Sequence, residues 1–147
     1  MRKLTALFMA SDVFMDSSGL YALADEHDPF NAVATMRVQA LAQARTKLIL
    51  TDYIIDESVT LAVARSGTPA ALRLLNLVDD SAAFDMHWIT PARFAAAKTF
   101  FRKHSDHHYS FTDCTSFVLM RELGLRDALT IDRHFGEAGF RPLLAQG

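Results

Sequence analysis

Four carboxylates far apart in the chain, Asp16, Glu57, Asp113 and Asp132, are the side chains whose types and positions could do chemistry together. Asp16 ends the apolar run Val13-Phe14-Met15, and Asp132 ends Ala128-Leu129-Thr130-Ile131. Asp113 falls at a helix start, and Glu57 lies among apolar neighbours on another helical stretch. Carboxylate oxygens with no cysteine in the set are hard donors, suited to Mg²⁺ or Mn²⁺. A divalent cation would offset the repulsion that otherwise raises the pKa of crowded carboxyls. Each residue also has a purely structural reading. Asp16 and Asp132 would serve as helix caps or turn residues, and Asp113 as a first-turn carboxylate facing the helix dipole. Glu57 competes with Asp56 and Asp52, although it has the better apolar face. The signal is their coincidence rather than any one position.

Such residues need a scaffold to gather them. Val13 to Met15 passes through Asp16-Ser17-Ser18-Gly19 into an amphipathic segment, as a buried strand hands over to a helix. Leu20 to Ala24 reads as a short helix broken at Asp28-Pro29, and a second helix spans about 29–45 with proline in its first turn. Lys47 to Thr51 is a second strand, apolar at its centre, as in a parallel sheet covered on both faces. From Tyr53 to about Arg65 the pattern is helical, with Ile54, Glu57, Leu61 and Ala64 on one face. The next helix opens at Pro69 with Leu72, Leu75 and Val78 inward. Phe84 to Trp88 alternates apolar and polar, as an edge strand with one wet face would. Pro91 starts a helix to about Lys103 with Phe94, Ala97 and Phe101 inward. Ser110 or Thr112 caps a helix that runs to Leu123 and stops at Gly124. Ala128 to Ile131 is a fourth strand, and Phe140 to Leu144 a small closing one.

Alternating strands and helices predict a three-layer α/β/α sandwich, one domain over residues 13–147, with a mostly parallel sheet of about five strands. In such sheets sites form in the crevice outside the carboxyl ends of the strands. All four carboxylates fall on that rim.

The 147 residues suffice for one domain with a proper core. A formal net charge of −2 does not announce a nucleic-acid binder, so any such role needs a local basic surface. Cys114 is the single cysteine, which excludes an internal disulfide and fits a reducing cytoplasm. It reads as a small buried packing residue. Residues 1–12 read as an extension: two basic residues precede an apolar run, a weak likeness to an export signal without its cleavage pattern. That run is too short to span a bilayer.

The matching pieces are Phe14-Met15-Asp16-Ser17-Ser18, Asp52-Tyr53-Ile54-Ile55-Asp56-Glu57, Tyr109-Ser110-Phe111-Thr112-Asp113-Cys114-Thr115-Ser116-Phe117 and Leu129-Thr130-Ile131-Asp132-Arg133-His134-Phe135. With the order of elements, they resemble a PIN-domain ribonuclease of the VapC type, the toxin of a toxin–antitoxin pair, over roughly residues 12–145. The resemblance implies a PIN-like sheet and makes Asp16, Glu57, Asp113 and Asp132 the catalytic metal ligands. It implies Mg²⁺ (or Mn²⁺) as cofactor and hydrolysis of RNA phosphodiesters, with transfer or ribosomal RNA as substrate. It also implies a small cognate antitoxin and a homodimer. Ser17 and Thr112 match the hydroxyls the family places near its first and third acids, and Ser116 would join them in orienting carboxylates or waters. Asp16 and Asp113 would share the central position, flanked by Glu57 and Asp132. Two departures stand out: the first acid comes late, and the loop before Ser110 reads Asp106-His107-His108-Tyr109 where an aspartate, a lysine and an aromatic are common.

RNA would need positive charge. Lys98, Arg102, Lys103, His104, His107 and His108 form the densest basic stretch, leading to Asp113, and Arg133 stands beside Asp132. The same stretch also reads as a solvated helix end complementing its dipole. Zinc at His104, His107 and His108 fits no tetrahedral spacing. His134 reads as a packing or cap residue rather than a general base. The phenylalanines and methionines read mostly as core, not as stacking platforms. Competing functions are a catalytically inactive RNA- or protein-binding module and a metal-dependent phosphatase or receiver on another α/β fold. Asp16-Ser17-Ser18 lacks the D-x-D of the phosphatase, and the tail lacks the receiver's lysine.

Overall fold

The computed structural model describes residues 12–145. The predicted extension therefore lies, but for Asp12, outside the described residues. Five strands form one sheet: β1 (Val13–Met15), β2 (Leu48–Thr51), β3 (Phe84–His87), β4 (Asp127–Leu129) and β5 (Arg141–Pro142), in the order β3-β2-β1-β4-β5. Every pairing is parallel, so the sheet is wholly rather than mostly parallel. Between and after the strands come α1 (Ser17–Ala24), α2 (Asn31–Gln43), α3 (Asp52–Ser66), α4 (Thr68–Asp80), α5 (Pro91–Lys103), α6 (Phe111–Leu123) and the single turn α7 (His134–Glu137). Strands β1 and β2 are buried along their whole length, because helices cover both faces. No helix among the described residues is long and apolar enough to cross a membrane.

The chain leaves β1 for β2 on one side and later returns to β4 on the other. That reversal opens a crevice between the carboxyl ends of β1 and β4, where open parallel sheets bind their ligands. Close packing there depends on Gly19 in α1. A Cβ at this position would stand 2.0 Å from the Leu129 carbonyl oxygen, so only glycine lets the first turn of α1 lie against β4.

Several predicted inward faces are shifted. On α4, which packs on α3, Ala71 and Leu74 are buried and Leu72 is 55 % exposed, while Val78 packs on the core as expected. On α5 the buried ring is Phe100, and Phe94 and Phe101 are left partly outside. On α3, Ser58 and Ala62 join Ile54 in the core, and Ala64 is exposed. Edge strand β3 exposes Met86 together with Asp85, so its alternation does not mark a buried face.

Candidate active site

Each acidic residue is set in place by the local structure around it. Asp16 follows β1 directly, and its amide donates to the Leu129 carbonyl of β4 at 3.3 Å. Its Oδ2 accepts from Thr130 Oγ1 at 2.7 Å and Ser18 Oγ at 3.1 Å. Asp132 comes three residues after β4 ends, not immediately after it, and its amide donates to Thr130 Oγ1 at 2.9 Å. Thr130 thus ties the first acid to the last. Asp113 is held by a reciprocal cap at the start of α6. Its amide donates to Ser110 Oγ at 3.0 Å, and its Oδ2 accepts from the Ser110 amide at 3.1 Å. The capping reading and the site reading of Asp113 therefore both hold, since its side chain does the first while facing the rim.

Glu57 accepts a hydrogen bond from Ser17 Oγ, which joins α3 to the start of α1. Its competitors are placed elsewhere. Asp52 Oδ1 accepts from the Ile89 amide at 2.7 Å, and Asp56 faces solvent.

The tightest group on the rim is Asp113, Asp132 and His134, each offering one ligand atom within 4.8 Å of the others. His134 Nδ1 lies 3.4 Å from Asp132 Oδ1 and 3.7 Å from Asp113 Oδ2. Its ring meets Tyr109 edge-on at 5.6 Å, and its amide donates to Asp132 Oδ1 at 2.9 Å. The residue read from sequence as packing or cap thus packs its ring, while its amide is capped by Asp132, and it also stands among the carboxylates. Its signal was the spacing Asp132-Arg133-His134. Asp16, expected to share the central position with Asp113, is not one of these three, although its carboxyl feels the Asp113 charge.

Charge crowding appears in the titration of the buried acids. Burial raises the Asp16 carboxyl from 3.8 to about 6, the Thr130 hydrogen bond opposes this, and the Asp113 charge adds to it. Asp113 is also raised, first by burial and further by Asp132 and Glu57, against the Ser110 amide. Two carboxyls that resist ionisation beside further acids make a site short of positive charge. Carboxylates with one imidazole, so crowded, could hold a divalent cation.

Other predicted residues fare differently. Ser116 does not orient a carboxylate: its hydroxyl donates to the Thr112 carbonyl at 3.1 Å, back-bonding one turn along its own helix. The Thr112 carbonyl also accepts from Thr115 Oγ1 at 2.6 Å, and its side chain is half-buried near the start of α6. Orienting hydroxyls come instead from Ser17, Ser18 and Thr130, of which sequence reasoning missed the last two. In the basic stretch, Lys98, Arg102, Lys103 and His108 are exposed, as is Arg133. His104 and His107 are half-buried in an aromatic cluster. His104 stacks on Phe100 at 4.0 Å and its Nδ1 lies 2.9 Å from the Phe100 carbonyl. His107 stacks on Tyr109 at 4.6 Å and faces Glu137. Among the described residues His104, His107 and His108 form no metal-binding group. Cys114 is fully buried, and burial pushes its thiol up to about 11.

No protein-family model matches the chain. It is similar to the 23S rRNA-specific endonuclease VapC20 of Mycobacterium tuberculosis, strains CDC 1551 / Oshkosh and ATCC 25618 / H37Rv alike. The match is 28% identical over 134 residues, covering 87% of this chain and 95% of that protein. The crystal structure of Mycobacterium tuberculosis VapC20, described as a sarcin-ricin loop cleaving toxin, superposes with a TM-score of 0.77 at 26% identity, covering 88% of this chain and 96% of the other. The wholly parallel sheet and the crevice between β1 and β4 agree with these two similarities, and the chain is similar in sequence and fold to a VapC-type toxin.

Proposed function

We propose that this protein is a divalent-metal-dependent endoribonuclease, the toxin of a type II toxin–antitoxin pair, that hydrolyses phosphodiester bonds in structured RNA. The observation that carries the reading is the gathering of Asp113, Asp132 and His134 within 4.8 Å, with Asp16 and Glu57 close enough to raise or be tied into the same network. Asp113, Asp132 and His134 would hold a Mg²⁺ or Mn²⁺ ion, with Asp16 and Glu57 completing the acidic set. Such an ion, when bound, supplies a Lewis acid for the phosphoryl oxygens and lowers the pKa of bound water. Thr130 and Ser18 keep Asp16 aimed at the crevice, and Ser17 does the same for Glu57. No side-chain nucleophile is required. The exposed Arg102, Lys103, His108 and Arg133 are suited to backbone phosphates, which position an RNA without reading its sequence; His104 and His107 reach this surface only in part.

The relative's name makes ribosomal RNA the first substrate to try, ahead of transfer RNA. A small antitoxin offering an arginine to the acidic crevice is the expected inhibitor, since a guanidinium pairs two carboxylate oxygens at once. A homodimer in the cytoplasm completes the reading. The test is to incubate the purified chain with 23S rRNA and a sarcin–ricin loop hairpin, adding Mg²⁺, Mn²⁺ or EDTA. Cutting that needs the metal and disappears in Asp113→Asn supports the proposal. RNA binding without cutting under every condition would replace it with an inactive binding module.

A further inference from the structure

Two aromatic rings of α5, Phe94 and Phe101, are left outside the core and pack on the helices that carry Glu57 and Asp113. On α5, Phe94 is 37 % and Phe101 44 % exposed. Seven residues apart, they share one flank of the helix. Phe94 meets Tyr53 of α3 at 6.5 Å between ring centroids and Phe111 of α6 at 5.2 Å, and Phe101 meets Phe111 edge-on at 6.2 Å. Tyr53 precedes Glu57 by one turn on α3, and Phe111 precedes Asp113 by two residues on α6. Tyr53 and Glu57, four positions apart, share one side of α3 about 6 Å apart along its axis, whereas Phe111 and Asp113, two apart, face different sides of α6.

Cations stand among the rings. Lys98 Nζ lies 5.4 Å over the Phe94 ring, and Arg102 follows one turn on, exposed on the same flank. Rings interleaved with cations are how proteins hold unpaired nucleotides, because any base can stack on a ring while a cation takes its phosphate. A dry protein interface would have to desolvate Lys98, which is costly for a charge. A nucleotide instead brings an anion attached to each stacking face. Duplex bases have their faces covered by neighbours, so only unpaired ones can use the row.

We propose that Tyr53, Phe94, Phe111 and Phe101 form a stacking surface for unpaired RNA bases beside the scissile phosphate, with Lys98 and Arg102 on the intervening phosphates. This rests on the reading of the acidic crevice as a ribonuclease site. It makes the enzyme a loop cutter, whose specificity begins with base exposure rather than base identity.

The test uses the full chain and two hairpins of equal length, one with a normal loop and one whose loop nucleotides are abasic. Binding is measured by fluorescence anisotropy in EDTA, and cleavage of the normal hairpin in Mg²⁺. Phe94→Leu is expected to weaken binding of the normal loop about tenfold and to leave the abasic loop unchanged. KM should rise by a similar factor with kcat held within about twofold, while Phe94→Trp keeps wild-type affinity. Lys98→Gln should lower the slope of log affinity against log salt by about one. Thermal unfolding of Phe94→Leu checks that the fold is intact, and Phe101→Leu repeats the test at an independent ring. Equal loss on both hairpins, or none on either while the wild type still cuts RNA, overturns the stacking surface and leaves the nuclease reading standing. A change in sedimentation of the leucine variants with RNA affinity preserved overturns it in favour of an interface between copies of the chain. Failure of the wild type to bind or cut any RNA overturns both readings together.

Discussion

Replacing Asp16 by asparagine should stabilise the cation-free protein at neutral pH. Asp16 is 4 % exposed, and burial with the Asp113 charge lifts its carboxyl from 3.8 to about 6 despite the hydrogen bond from Thr130. The folded protein therefore holds this proton more tightly than the unfolded chain does. Well below pH 3.8 the group is protonated in both states and costs nothing. As pH rises from 3.8 to about 6 the unfolded chain ionises while the folded state keeps its proton, so stability falls, and above that range the full cost of the buried charge is in place. At about 1.4 kcal/mol for each pH unit, the rise from 3.8 to about 6 corresponds to about 3 kcal/mol by pH 7. Asparagine cannot ionise, and its carbonyl can still accept from Thr130, but it leaves Ser18 with a poorer acceptor. A net gain of about 1–3 kcal/mol is expected. Urea unfolding in EDTA at about pH 3 and about pH 7.5 measures it: the gain should be present at the higher pH and near zero at the lower. Added Mg²⁺ should narrow the gap, because a cation bound only to the folded wild type stabilises it. A variant less stable than wild type at pH 7.5, or a gain of equal size at both pH values, would refute the reasoning.

Gly19→Ala should be among the most damaging single changes, costing about 3 kcal/mol or more by overpacking, since its Cβ meets the Leu129 carbonyl at 2.0 Å; a drop in melting temperature or loss of soluble protein checks this. His134→Asn should weaken Mn²⁺ binding about tenfold, read by calorimetry, because the ring stands within 3.4 Å of Asp132 and orients or completes the donor set. Cys114 should resist a thiol reagent at about pH 8 until urea unfolds the protein, because it is buried and its thiol is pushed up to about 11.

The α/β architecture was legible because its signals are local. Apolar runs ending at Asp16 and Thr51, the caps Ser110 and Gly124 and the prolines opening α4 and α5 are set by neighbours in sequence. Asp16 and Asp132 could be expected on one rim because a parallel sheet places every strand end there. Which apolar side of each helix is inward proved less readable. Phe100 and Phe101, or Leu72 and Leu74, are about equally apolar, and only the partner helix decides between them. That choice has a consequence near the site, since the rings left outside, Phe94 and Phe101, pack on Tyr53 and Phe111 of the helices that carry Glu57 and Asp113.

By itself the sequence determined where the chain turns and which segments are buried strands, and so that Asp16 and Asp132 follow two of them, because period, capping and turn chemistry act over a few residues. Tertiary structure alone decided the company those carboxylates keep. Thr130 and Ser18 bond Asp16, Ser17 bonds Glu57, and His134 enters between Asp113 and Asp132. The contacts from Ser17 to Glu57 and from Thr130 to Asp16 join residues 40 and 114 positions apart. No local pattern carries such a pairing, because it arises only when strands from distant parts of the chain lie side by side.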